Sequence, residues 1–311
     1  MTDQYIRSCR LVIGQGDEAV DLSDFRIQFE VRNATTQTLK SAVIRIFNVS
    51  PQLATKARKE FQRVELSAGY GDSPGLIFSG EIYMVRYGRV NATDTILELD
   101  CQDGDHVYNW AVTNQTLAKG HTPQDVHKAL LNDLAPYGIT AGYSPQFTTT
   151  PSVNAWPMFG QTREILRDFA DDQKCYWNLE DGKLNFVPKR NGYIQAPVPK
   201  LNAESGLIGI PVQTIGGINV RCLIRSDIKC GRIFNLSNKS ISTFDIKKAS
   251  PGNELPVPKL NDDGFYVAFQ VKHTGDTRGD QWYTDIVSVS IDPKDGVPAT
   301  QDFINSVPSS D

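Results

Sequence analysis

The feature that most constrains this chain is a two-residue period near its start. In the run FRIQFEV, Phe25, Ile27, Phe29 and Val31 alternate with polar residues. Successive strand side chains point to opposite faces, so such a run buries one face of a sheet and wets the other. Further runs of β-branched and aromatic residues, separated by turn residues, predict strands over residues 5–13, 42–47, 64–70, 76–87 and 95–101. One short helix interrupts them, because Ser50 followed by Pro51 supplies an N-cap and a preorganised first turn for QLATKARK. Six strands and one helix imply a barrel or a sandwich.

From about residue 111 the pattern changes. In HTPQDVHKALLNDLAPYG, Thr122 is placed to cap a helix, Pro123 occupies its first position and Asp125 completes a capping box; Val126, Ala129, Leu130 and Leu134 make one apolar stripe. A second helix is expected after Thr162, with Ile165, Leu166 and Phe169 inward, followed by a hairpin in CYWNLEDGKLNFVPK turned at Asp181-Gly182. Beyond residue 201 the chain reads as strands again, in GINVRCLI, GRIFNLS, GFYVAFQVKH and WYTDIVSVSI. ASPGNELPVPKLNDDG is expected to be a long irregular loop, and PKDGVPATQDFINSVPSSD a flexible tail, or one ordered only by a partner. The expected class is mainly β with an α/β insert (α+β), with units over 1–110, 111–200 and 201–292 and a tail over 293–311. A length of 311 residues suits two or three such domains.

Charge and cysteines exclude several functions. The net charge of −4 has the wrong sign for a protein that coats nucleic acid. Arg221, Arg225, Lys229, Arg232, Lys239, Lys247 and Lys248 nevertheless form a basic stretch against Asp227 and Asp245. It is expected at a protein interface, because a lumen that must release DNA gains nothing from tight phosphate contacts. Five cysteines, none in a CxxC pair, argue against a disulfide framework or a zinc ribbon. His121 and His127 are six apart and do not share a helix face, so no metal site is expected. No apolar run reaches the roughly 18 residues of a spanning helix, and MTDQYIRSCR lacks a signal-peptide core, so a soluble chain made in a cytoplasm is expected.

The motifs that suggest chemistry do not hold their context. GDSPG, with Ser73 at its centre, matches a nucleophile elbow, yet strand-like sequence follows it where the elbow needs a helix. A hairpin turn fits it better; His273 would reach Ser73 only if the last region folded back. GQGDEA over 14–19 resembles a dinucleotide fingerprint, but VDLSDFRIQFEV is too β-like to supply the helix. Asp171 and Asp172 are adjacent on a helix and so point apart. Trp110, Trp156, Trp177 and Trp282 suit a sugar or base platform but are more simply packing residues. No catalytic, cofactor or metal residue is therefore assigned.

Five stretches taken together, SAVIRIFNVSP, VELSAGYGDSPGLIFSGEIY, LDCQDGDHVYNWAVTNQTLAKGHTPQDV, SGLIGIPVQTIGGINVRCLI and GFYVAFQVKHTGDTRGDQWYTD, resemble in order and spacing the baseplate hub proteins of contractile-tailed bacteriophages. The chain departs from that pattern at Ser226 and Cys230, where such proteins often carry prolines. The resemblance implies two tail-tube-like β-barrel domains flanking the small α/β domain, and a homotrimer that matches a sixfold tail tube to a threefold central spike. It implies as partners the tube protein, a separate spike protein, other baseplate proteins and, as a further candidate, the tape measure protein, with no stable nucleic acid binding and no membrane insertion. It implies a non-enzymatic virion protein of the tail baseplate, assembled in the host cytoplasm. Phe303 and Ile304 are the candidate partner anchors in the tail. Two other readings stay open: a serine hydrolase resting on Ser73, and a glycan-binding tail protein using its tryptophans at the host surface.

Overall fold

The computed structural model describes residues 6–14, 19–35, 39–59, 62–72, 74–189, 193–194, 196–214, 217–236 and 264–290. Ser73, Lys239, Asp245, Lys247, Lys248, Phe303 and Ile304 lie outside them, as do the 15–18 portion of GQGDEA, the expected loop before Gly264 and the expected tail.

The first region contains β1 (Arg7–Ile13), β2 (Val20–Asp21), β3 (Ile27–Ala34), β4 (Ser41–Phe47), α1 (Pro51–Lys59), β5 (Arg63–Tyr70), β6 (Gly75–Arg89) and β7 (Thr95–Gln102). The alternation read from the sequence is realised in β3, where Ile27, Phe29 and Val31 are buried between half-buried Gln28 and Glu30. Helix α1 starts where expected: the Leu53 amide donates to Ser50 Oγ at 3.2 Å.

The middle region contains α2 (Asp105–Trp110), β8 (Val112–Leu117), α3 (Pro123–Leu134), β9 (Thr140–Ala141), β10 (Trp156–Gln161), α4 (Thr162–Asp172), β11 (Cys175–Glu180) and β12 (Lys183–Pro188). The capping box at Thr122 and Asp125 forms in full. The turn between β11 and β12 places both Asp181 (φ 52°) and Gly182 (φ 72°) in the left-handed region, as a two-residue hairpin turn of this hand requires. Sequence reasoning did not foresee α2 or the two-stranded ribbon of β8 and β10.

The last region contains β13 (Lys200–Leu201), β14 (Leu207–Thr214), β15 (Gly217–Leu223), β16 (Ile233–Leu236), β17 (Phe265–Asp276) and β18 (Trp282–Ser290). The first and last regions join in one 13-stranded sheet, whose main path runs β14-β15-β18-β17-β3-β4-β7-β6-β5-β1-β2. The joint is the seven-residue antiparallel pairing of β17 with β3, from Gln270 opposite Ala34 to Asp276 opposite Gln28. Before that, β17 pairs with β16 through Phe265–Val267, and an irregularity between Ala268 and Gln270 marks the change of neighbour. At the outer edge, among the described residues β14 pairs only with β15 and carries an irregular register between Ile208 and Val212 together with Pro211, features that discourage further strand addition.

Among the described residues, most buried apolar side chains fall into three clusters. One lies within the first region and takes in Ile224 and Trp282 from the last. A second lies within the middle region and a third within the last.

Candidate interaction surfaces

Where the three regions converge, the buried groups are charged. Lys40, in the connection from β3 to β4, is only 4% exposed. Its Nζ donates to Asp181 Oδ1 at 3.1 Å and lies 3.8 Å from Glu180 Oε1, both at the β11–β12 turn. Lys229 of the last region pairs with the other Asp181 oxygen. Asn33 of β3 donates to Glu180 Oε1 at 2.9 Å, and the Asp181 amide donates to Asp103 Oδ2 at 2.6 Å. Asp103 and Glu180 are buried as well. The two ammonium groups beside it hold the Asp181 carboxyl below its usual range despite its burial. The tip of the middle hairpin is thus clamped in the seam between the two β regions. A cavity of about 10 Å³, enough for a single water, lies beside Lys40, Glu180, Lys229 and His273.

His273 faces this seam, so the last region does fold back onto the β5–β6 hairpin: Leu76, Ile77 and His273 share the cavity wall. The imidazole is not set up as a base. Its Nδ1 is bonded to Thr284 Oγ1 at 2.9 Å, where a triad would place a carboxylate, and burial pushes its pKa down to about 3. The chain around GDSPG passes from β5 through a turn straight into β6, with Gly71 at φ 69°. GQGDEA likewise lies between β1 and β2, which pair antiparallel, so its flanks form a hairpin.

Other sequence candidates separate in space. Asp171 pairs with Lys189 at 2.7 Å, whereas Asp172 accepts from the Gln173 side chain at 2.7 Å. His121 stacks beside Trp156, while His127 is enclosed by Phe147 and Phe186, where burial lowers its pKa. Among the described residues no group of three or more His, Cys, Asp or Glu could hold a metal ion. Trp177 and Trp282 belong to two different cores. Trp156 lines a groove of about 590 Å³ together with His121, Ser152, Asn154, Asp168 and Asp172. Of the basic stretch, Arg221 forms a two-bond pair with Asp285, Arg225 pairs with Asp227, and Lys229 serves the seam, so these charges are matched within the chain.

The outer face of the β8–β10 ribbon carries Val112, Asn114, Thr116, Pro157, Phe159 and Gln161, all exposed and none charged. With Val112 at 61%, Phe159 at 63% and neighbouring Trp110 at 68% exposure, this is an apolar surface of the kind that protein contacts use.

No protein-family model matches the sequence. No curated protein matches it either. Solved structures do resemble it. A tail protein from Neisseria meningitidis MC58 aligns with a TM-score of 0.57 and 11% identity over 95% of this chain and 98% of its own. The 43 kDa tail protein of prophage MuSo2 from Shewanella oneidensis gives 0.58 and 9% over 91% and 98%. An E. coli component of the type VI secretion system, itself described as similar in structure to the T4 bacteriophage tail proteins gp27 and gp5, gives 0.55 and 10% over 93% and 78%. The chain therefore has a mainly β fold shared with tail proteins, one of them from a prophage, and with a secretion-system component.

Proposed function

We propose that this protein is a structural component of a phage tail, the trimeric baseplate hub that joins a sixfold tube to a threefold spike. The observation that carries this reading is fold likeness over more than nine-tenths of the chain to two tail proteins and a secretion-system component. In this reading residues 1–110 and 201–292 are the two tube-like units of each subunit, 111–200 is the α/β unit, and three copies present six tube-like faces. The partners are the tail tube, the central spike, neighbouring baseplate proteins and the tape measure protein. Phe303 and Ile304 contact one of them, and the protein resides in the virion tail and performs no catalysis. A closed ring needs heterologous contacts that return on themselves, and exposed apolar surface outside the cores supplies material for them.

Light scattering across a range of concentrations, with the protein alone and co-expressed with the spike, tests the assembly. The expected mass is three times the 34.5 kDa subunit. A monomer under both conditions overturns the trimer, and absence of the chain from the tails of purified virions overturns the tail assignment. Deletion of residues 294–311 without loss of assembly removes the anchoring role of Phe303 and Ile304.

A further inference from the structure

The charged seam holds more acid than base. Two ammonium groups, Lys40 and Lys229, face three carboxyl groups, Asp103, Glu180 and Asp181. The remaining polar or titratable neighbours are Asn33, Ser226, His273 and Cys230, with Asp227 of the same loop paired to Arg225 and Lys272 of β17 paired to Glu30. His273 and Cys230 are uncharged at neutral pH, because burial lowers the imidazole pKa to about 3 and raises that of the thiol well above its ordinary value. The seam is therefore electrically balanced when one carboxyl is protonated and carries a surplus negative charge when all three ionise. Glu180 and Asp181 each have an ammonium within 4 Å, whereas Asp103 forms no such ion pair among the described residues; it accepts from the Asp181 amide through one carboxyl oxygen, which leaves the other to carry a proton.

We propose that the seam is a proton-dependent latch, in which neutral Asp103 seats the β11–β12 turn between the two β regions and ionised Asp103 loosens it. Burial pushes this carboxyl up to about 7, with the Asp181 amide and Lys40 offsetting part of that rise. A group whose pKa is raised on seating favours the seated state fully below its free value. That preference is lost as pH climbs through about 7. The middle region is thus held most firmly near and below the free carboxyl value of 3.8, eases as pH climbs towards about 7, and loosens no further beyond it. This inference rests on the seam alone and stands whether or not the protein belongs to a phage tail.

Cys230 reports on the seam, being fully buried in its wall, and Cys101 and Cys222 are buried in the first and last cores. The full-length protein is alkylated with N-ethylmaleimide between pH 6 and 8, and each cysteine is read by peptide mapping. Dividing the Cys230 rate by its rate in Asp103→Asn cancels the thiol's own chemistry. The expected ratio rises about tenfold over that range, most of it between pH 6 and 7, and levels off above the seated pKa of about 7. Cys101 and Cys222 are expected to stay constant on the same measure. A flat Cys230 ratio, or all three cysteines rising together, overturns the latch. If Asp103→Asn does not fold, the side-chain carboxyl signal of Asp103 in ¹³C-labelled wild-type protein decides: titration near 7 supports the latch, and titration in the ordinary range near 4 overturns it.

Discussion

Gly75 lies where β6 begins, and the segment holding Ser226 passes directly over it. A β-carbon added at Gly75 would stand 1.9 Å from Ser226 Oγ and 2.5 Å from Ser226 Cβ, closer than side chains tolerate. We expect Gly75→Ala to cost on the order of 1–3 kcal/mol in denaturant unfolding, as overpacked sites do, and Ser226→Gly to recover most of the loss. No recovery in the double variant would mean that the contact is not the cause. Phe159 is the opposite case: it is mostly exposed, so Phe159→Ser should leave stability within about 0.5 kcal/mol. Reduced subunit association at unchanged melting temperature would mark the ribbon face as a contact. The sequence shows both residues but neither role. A glycine in a turn-rich stretch announces only a turn, and its partner lies far along the chain.

The joint between β3 and β17 is reinforced at one end by Asp276. Arg26 donates to both of its oxygens, at 3.2 and 2.8 Å, Gln28 donates at 2.8 Å, and the Arg278 amide adds a further bond. Although burial works against ionisation, these partners hold the carboxyl down at about 2. A depressed pKa contributes stability above the unfolded value of 3.8 that is lost as pH falls through about 2. Asp276→Asn should therefore be destabilised at pH 7, with the gap to wild type closing between about pH 4 and 2. A gap that does not change with pH would exclude the ion pair as its source. At this scale much was legible. Period two located most long strands, and the Thr122 capping box and the Asp181-Gly182 turn were set by local chemistry. The β8–β10 ribbon was not, because VTNQTL and WPMFGQ lack a clear apolar alternation, and α2 has no side-chain cap, starting from left-handed Gly104.

Across the whole molecule, stability depends on the seam where three cores meet. Lys40→Met should cost on the order of 3–5 kcal/mol, because it strands buried carboxylates without their cation. A loss below about 1 kcal/mol in thermal unfolding would show that water enters the seam freely. None of this arrangement was visible in the sequence. Asn33, Lys40, Asp103, Glu180, Asp181 and Lys229 look like ordinary surface residues until the chain brings them together, and only the Asp181-Gly182 turn hinted that one of them occupies a fixed geometry.

The ladder between β17 and β3 also gives the molecule a mechanical grain. Hydrogen bonds between antiparallel strands lie across the strand direction. A pull along the strands loads the seven-residue ladder together, in shear, whereas a pull across them opens it one rung after another from the end. The Asp276 cluster closes one end of that ladder, where peeling would otherwise start. The two β regions are therefore joined more strongly against sliding past each other than against being prised apart, and force passing through this joint is carried best when it runs along β17.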